Sequence, residues 1–428
     1  MGRTEHTESS AHARWLFFGL FFFLFTYRSS GGVYWLGLIL IGIWWALARP
    51  AAPALPRVLY RVAALYSLIW CGHAAWIFYR GEYGLWVTLE AYRHYLELLL
   101  FIPLSVAFYH ARQHLLPLMW IPVLAVVVRV LSHTDYGDIH RTFFSAPGFG
   151  FGKHYVTFGM HVMIAFLTAI ALLGMTRHWI AGRRFRVAYW VTVPIVLLLL
   201  FQALVTSGSR SAWLCVLVGL PVLAWLHRRE LIRRLDSALA KWVAAGLVLC
   251  LVVIGSASLN KIQHRWSGMS DAGAGWFSLD TLSREKDIFP DRRIYLSLFG
   301  IERWSERPVL GHGPSAVPVF LSEDPDFHVH PHLHNTYVQV LVEGGVVGAA
   351  AVALLLLAIA HGVWRTRHGA GSRERDLRRW LTVVALCVAV WSLANFHLHN
   401  SDWRFTWNWF AAIGALLMRL EHDDSLRG

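Results

Sequence analysis

Runs of mostly apolar residues, many close to twenty long, recur along nearly the whole 428-residue chain, and they constrain its fold more than any other feature. A hydrocarbon layer offers no partners to backbone N–H and C=O groups. A chain that enters it repeatedly must satisfy them within each segment, as a helix does. The composition agrees: 56% of residues are hydrophobic and 15% charged, with 22 Trp and 25 Phe, a balance that water-soluble domains seldom reach. The chain therefore reads as an all-α polytopic membrane protein. About twelve spans are expected, near 15–27, 33–48, 59–79, 95–109, 115–131, 156–174, 187–205, 212–227, 238–258, 337–361, 380–397 and 404–419.

The first run follows a polar leader and has no small-residue cleavage site after it, so it is expected as a retained helix. Cys71, Cys215, Cys250 and Cys387 all fall inside apolar runs. They are expected as buried packing, not as a disulfide framework or a metal site.

The formal net charge is +13, but its placement speaks of topology and not of nucleic acid. Arginines cluster in alternate short loops: Arg49, Arg57 and Arg61; Arg177, Arg183, Arg184 and Arg186; Arg228, Arg229, Arg233 and Arg234; and the group from Arg365 to Arg379. The positive-inside rule puts these loops and both termini in the cytoplasm, and a long loop, 259–336, outside. No eukaryotic targeting signal is visible, so a bacterial inner membrane is the expected setting, with the periplasm outside. The expected division is 1–258 for nine transmembrane helices, 259–336 for a periplasmic loop domain, and 337–428 for three more helices and a cytoplasmic tail.

Three outer loops carry most of the polar chemistry. Loop 132–155 mixes glycine and aromatics, suiting an interfacial loop more than a substrate contact. The second, Thr206-Ser-Gly-Ser-Arg-Ser-Ala, is very short. Ser207 or Ser209 can cap the next helix, which puts Arg210 in its first turn, where a cation opposes the helix dipole. A bound anion resolves that conflict, and so does a guanidinium reaching up to lipid headgroups. The third loop holds eight Lys/Arg and ten Asp/Glu over 259–333, so its arginines must be argued singly. Within it, 291–306 reads as an amphipathic helix with Ile294, Leu298 and Ile301 on its apolar face. The turn Pro308-Val-Leu-Gly-His-Gly-Pro follows, where glycines allow a ligand or a second backbone segment to come close.

That loop ends in His328-Val-His-Pro-His-Leu-His-Asn-Thr-Tyr. His328, His330, His332 and His334 alternate, which in an extended segment would aim them together at a metal; Pro331 interrupts the pattern. The competing reading singles out His334. Asn335 or Thr336 can cap the helix that follows, leaving His334 at its positive end, where the imidazole stays neutral and able to accept a proton. The segment 335–361 is 27 residues long, about 40 Å as a helix against a hydrocarbon core of about 30 Å. It must therefore stand above the bilayer or bend, and Gly344-Gly345 are the places to bend. Glu343 is expected as a local hydrogen-bonding residue near the interface.

Taken in order, Thr206-Ser-Gly-Ser-Arg-Ser-Ala, then Arg293 with its amphipathic helix and Pro-Val-Leu-Gly-His-Gly-Pro, then His334-Asn-Thr-Tyr followed by Glu343-Gly-Gly, this sequence resembles the bacterial O-antigen ligases and polymerases. The resemblance covers about 206–362. It implies a GT-C-like glycosyltransferase that moves a glycan from undecaprenyl pyrophosphate to an acceptor hydroxyl on the periplasmic face. In the ligases that acceptor is lipid A–core oligosaccharide, in lipopolysaccharide biosynthesis. It further implies inversion at the anomeric carbon and no need of metal or ATP. Mapped onto this chain, His334 matches the family's histidine, the general base, and Arg210 and Arg293 match its arginines, which hold the donor pyrophosphate. Arg265 is a third, weaker match, and Arg292 competes with Arg293 for the position facing the site. His332, Asn335, Tyr337 and Glu343 are the expected supporting residues. The expected partners are the lipid-linked donor, the lipid A–core acceptor and membrane lipid, with no nucleic acid. A polymerase or protein O-oligosaccharyltransferase using the same donor is the nearest alternative, and a transporter the remote one.

Overall fold

The computed structural model describes residues 2–28, 31–140, 142–143, 148–176, 183–228, 293–324, 332–365, 372–395 and 398–427. Among these residues every regular element is helical. The α-helices are α1 (Gly2–Leu24), α2 (Gly31–Ala48), α3 (Arg57–Tyr79), α4 (Leu85–Leu96), α5 (Phe101–His110), α6 (Leu115–Ser132), α7 (Tyr155–Thr176), α8 (Arg183–Ser207), α9 (Arg210–Leu226), α10 (Arg293–Glu306), α11 (Ala316–Glu323), α12 (Thr336–Arg365), α13 (Ser372–Ser392) and α14 (Ser401–Arg427). Five helical segments among the described residues are long and apolar enough to cross a membrane: Arg57–Tyr79, Arg112–Ser132, Tyr155–Leu173, Val187–Ser207 and Thr336–Arg365. The protein is a helical membrane protein. A helix lies over every expected span except 238–258, which falls outside the described residues. So do Arg265, Arg292, His328, His330 and Cys250, and the loop arginines Arg177, Arg229, Arg233, Arg234 and Arg367.

The expected span 95–109 is not one regular helix. A 3-10 stretch, Glu97–Leu100, separates α4 from α5. Pro103 has no N–H for the carbonyl four residues earlier. That carbonyl belongs to Leu99; within the 3-10 stretch itself the carbonyls of Glu97 and Leu98 accept from Asn408 Nδ2 at 3.0 Å and Trp407 Nε1 at 2.8 Å on α14.

By contacts the chain forms two compact units. The first comprises Met1–Leu47, Ala111–Asp271 and Gly371–Trp391. At its centre is α7, of which nearly the whole apolar stretch is buried. The buried Arg129 of α6 donates to the carbonyls of Tyr27 at 3.0 Å and Phe151 at 2.9 Å, so its cost in an apolar setting is offset by fixed acceptors. Cys215 and Cys387 each donate an S–H to the other's carbonyl, at 3.1 and 3.2 Å. They are buried thiols, as expected. Cys71 is not: it lies exposed on the outward face of α3, because an apolar run in a membrane helix turns one side to lipid as readily as to the core.

The second unit comprises Ala48–His110, Ala272–Ala370 and Ser392–Gly428. A buried ion pair, Arg404 Nε to Glu97 Oε2 at 2.5 Å, ties α14 to the α4–α5 junction, and Arg419 is held by Ser105 and the Pro53 carbonyl. The amphipathic helix of the outer loop exists as α10, but its packed face differs from expectation. Tyr295, Leu296, Phe299 and Gly300 are buried, whereas Leu298 and Ile301 are exposed and Ile294 half-buried. Gly300 decides the face. A Cβ there would lie 2.6 Å from Leu333 Cδ1 and Val338 Cγ1, so the helix approaches its neighbour on the glycine side. Leu296, Phe299, Val317, Leu321, Leu333, Val338 and Val342 form the core beneath it.

Candidate active site

Two helix starts, one in each unit, carry Arg210 and His334, and Arg293 opens α10 in the second unit. In the first unit α8 ends at Ser207, Gly208 turns with φ of 63°, and α9 begins at Arg210. Of the two candidate caps, Ser209 accepts from Ala212 N at 3.5 Å, while Ser207 Oγ turns back to the Leu204 carbonyl at 2.7 Å. Both serines are buried and Arg210 is half-buried in the first turn, as expected. A Cβ on Gly159 would come within 2.5 Å of Ser209 Cβ, so α7 lies directly against the turn. Loop 132–155 folds onto the same end. Phe149 N donates to the Thr206 carbonyl at 3.1 Å, and the Phe143 carbonyl accepts from Thr206 Oγ1 and Gln202 Nε2. The loop thus shapes the surroundings of Arg210.

In the second unit Asn335 caps α12: its Oδ1 accepts from Tyr337 N at 3.1 Å and Val338 N at 3.2 Å. Thr336 does a different job, donating to the Asn395 carbonyl at 2.7 Å. His334, just ahead of the cap, has a φ of 54°. A left-handed backbone is unusual for a residue with a side chain and must be held by its surroundings. Its N–H donates to His332 Nδ1 at 3.2 Å, and the two rings lie 4.1 Å apart. Tyr337 is exposed, and Arg293 is half-buried at the start of α10.

Helix α12 breaks where its length demanded. Gly345 has φ 58° and ψ −164°, dividing it into 336–344 and 346–365; the second part, about 30 Å long, matches a hydrocarbon core. A break orphans backbone groups that lipid cannot satisfy. The glycine turn 308–313 satisfies them. Val342 and Glu343 carbonyls accept from His312 N at 2.9 Å and Gly313 N at 2.8 Å, and Val346 and Val347 N–H groups donate to Pro308 and Val309 carbonyls at 2.9 and 3.1 Å. Glycine is required on both sides: a Cβ on Gly345 would lie 2.3 Å from Val309 O, and one on Gly311 2.5 Å from Gly345 N. The turn is pinned in its own right. Arg307 donates to both carboxylate oxygens of Glu82, at 2.7 and 2.8 Å. The buried His312 ring holds the Arg303 carbonyl at 2.8 Å, and burial lowers its pKa, with the Arg307 charge acting in the same direction. His312 is therefore a structural donor.

Glu343 is fully buried. It accepts from Tyr95 O–H at 2.5 Å and Gln339 Nε2 at 2.7 Å, with His399 Nε2 3.6 Å away. The expected local hydrogen bonding is present, within α12 to Gln339, and Glu343 also reaches Tyr95 of α4. Gln339, Tyr95 and His399 were not expected here. Tyr95 is 248 residues from its partner, a separation that leaves no local pattern. Gln339 left one signal, since it and Glu343 form an i, i+4 polar pair inside an apolar helix. Nearby, Trp70 stacks on Tyr95 at 3.7 Å and also lines an apolar cavity of about 590 Å³ with Ala74, Phe78, Leu85, Leu89 and Tyr92.

A comparison with curated proteins gives no match. A comparison with protein families gives one, described as O-antigen ligase, over residues 195–353. That interval runs from within α8, through the Arg210 turn and α10, to beyond the break in α12, so both helix starts lie inside it. Residues 195–353 carry an O-antigen ligase family domain.

Proposed function

We propose that this protein is an O-antigen ligase. It transfers O-antigen glycan from undecaprenyl pyrophosphate to a hydroxyl of lipid A–core oligosaccharide, with inversion and without metal or ATP. The setting is the periplasmic face of a bacterial inner membrane, with about twelve spans in a GT-C-like arrangement and both termini in the cytoplasm. The observation that carries this reading is His334, held in a left-handed conformation by its neighbours at the capped start of α12, within the family-matched stretch. Residues kept in such conformations cluster at functional sites.

The chemistry needs two services. The acceptor hydroxyl is a weak nucleophile, and His334 removes its proton as the oxygen attacks the anomeric carbon. The bond from that carbon to the phosphate oxygen breaks with its electron pair leaving on pyrophosphate, opposite the incoming oxygen. Arg210, Arg293 and Arg265 stabilise the growing negative charge, a task that suits planar guanidinium groups. Energy comes from the activated donor itself. The apolar cavity beside Trp70 offers walls of the kind a lipid chain requires.

Reconstitution in liposomes tests the reading. Purified protein, undecaprenyl-pyrophosphate glycan, a chelator and a choice of acceptors are combined. Transfer to lipid A–core in the presence of chelator is the expected result. Transfer only to a second lipid-linked glycan, or only to a protein, would replace the ligase reading by polymerase or protein glycosylation.

A further inference from the structure

Glu343 lies two residues ahead of the break in α12, and its hydrogen bonds continue toward His334. One carboxylate oxygen accepts from Tyr95 and the other from Gln339 Nε2. The other end of the same amide, Gln339 Oε1, accepts the N–H of Leu333 at 3.1 Å. Leu333 directly precedes His334, and Tyr95, Gln339, Glu343 and Leu333 are all buried to within 1% of full enclosure. Each link has one possible polarity: a tyrosine donates to a carboxylate, a carboxylate accepts from an amide nitrogen, and an amide oxygen accepts from the backbone. We infer that Gln339 and Glu343, anchored by Tyr95, form a brace that positions His334 for the proposed transfer.

The brace acts by geometry. A backbone N–H and a carboxamide do not exchange protons as relays do, so the chain Glu343–Gln339–Leu333 carries no proton from the imidazole. What it carries is registry. The left-handed His334 is bounded on one side by the Leu333 N–H bond and on the other by the Asn335 cap. Without the first, the segment has one fixed end. The far end of the brace is also fixed outside α12, because the Tyr95 ring stacks on Trp70 of α3. His399 is too distant from Glu343 for a hydrogen bond and sets no direction.

The inference rests on the base reading of His334, and one set of variants separates the two. Full-length protein is reconstituted with donor and lipid A–core, and kcat and the KM for each substrate are measured alongside thermal midpoints in detergent. Gln339→Leu is expected to lower kcat by about 100-fold, the scale of a small misplacement of a catalytic group, with both KM values unchanged. Tyr95→Phe, which removes only a hydroxyl, is expected to lower kcat less, again at constant KM. The exchange Gln339→Glu with Glu343→Gln keeps every hydrogen bond with reversed polarity between the two side chains, and it is expected to recover most of the kcat that either single change loses. Wild-type kcat in Gln339→Leu, or a double variant no better than the singles, would overturn the brace while leaving His334 as the base. Transfer by His334→Ala at the wild-type rate would overturn the base reading, and with it any catalytic role for the brace.

Discussion

Helices α9 and α12 both begin with a side chain closing the first turn, yet they are held in different ways. At α9 the contacts of the capped turn itself are near in sequence, Ser209 to Ala212, Ser207 to Leu204 and Trp213 Nε1 to the Leu204 carbonyl, with Phe143 and Phe149 of loop 132–155 added at Thr206. At α12 they come from afar, from Asn395, from Tyr95 by way of Glu343, and from the 308–313 turn that fills the break. The first start presents a cation at a turn whose cap is set locally. The second places an imidazole in a frame assembled from several segments of its unit. Changes at α9 should therefore act mainly through charge, and changes at α12 mainly through geometry.

The largest contrast is expected from glycine. Gly345→Val sets a side chain into the Val309 carbonyl and at a positive φ, so the protein should fail to reach a folded state in membranes, read as lost yield and lost size-exclusion peak. Gly208→Ala carries the backbone strain of its positive φ, about 1–2 kcal/mol, and should leave a folded protein with a lower thermal midpoint. Equal behaviour of the two would break the comparison. Next comes Arg210. Arg210→Ala should reduce kcat/KM for the donor by about 100-fold with the thermal midpoint unchanged, and Arg210→Lys should recover only part of it, since a point charge lacks the bidentate fork. Full activity of Arg210→Ala would return this residue to headgroup anchoring. The smallest effects are at the caps. Asn335→Ala removes an acceptor of two N–H groups and should cost about 1 kcal/mol, while Ser209→Ala, losing one longer bond, should cost less.

The same contrast explains what could be read from residue order. The Arg210 turn was legible down to two candidate capping serines, of which the structure selects Ser209, because the cap's chemistry is local. So was the bend in α12, since 27 residues exceed the hydrocarbon thickness and two glycines mark the weak point. The packed face of α10 was not. The face that packs lies beside the stripe expected from Ile294, Leu298 and Ile301, and it is marked by Gly300, which carries no hydrophobic signal. The Glu343 cluster was half legible: Gln339 shows at i, i+4, whereas Tyr95 enters through tertiary packing alone. The family resemblance was visible because it rests on three short motifs in order, and the family match spans them.

The central claim, that His334 supplies the base, is tested most directly by glycan transfer from undecaprenyl pyrophosphate to lipid A–core in liposomes containing His334→Ala. The account predicts a loss of about 100-fold or more in kcat, with donor and acceptor KM and the thermal midpoint close to those of the unaltered protein. Transfer at the unaltered rate by a folded His334→Ala would contradict it.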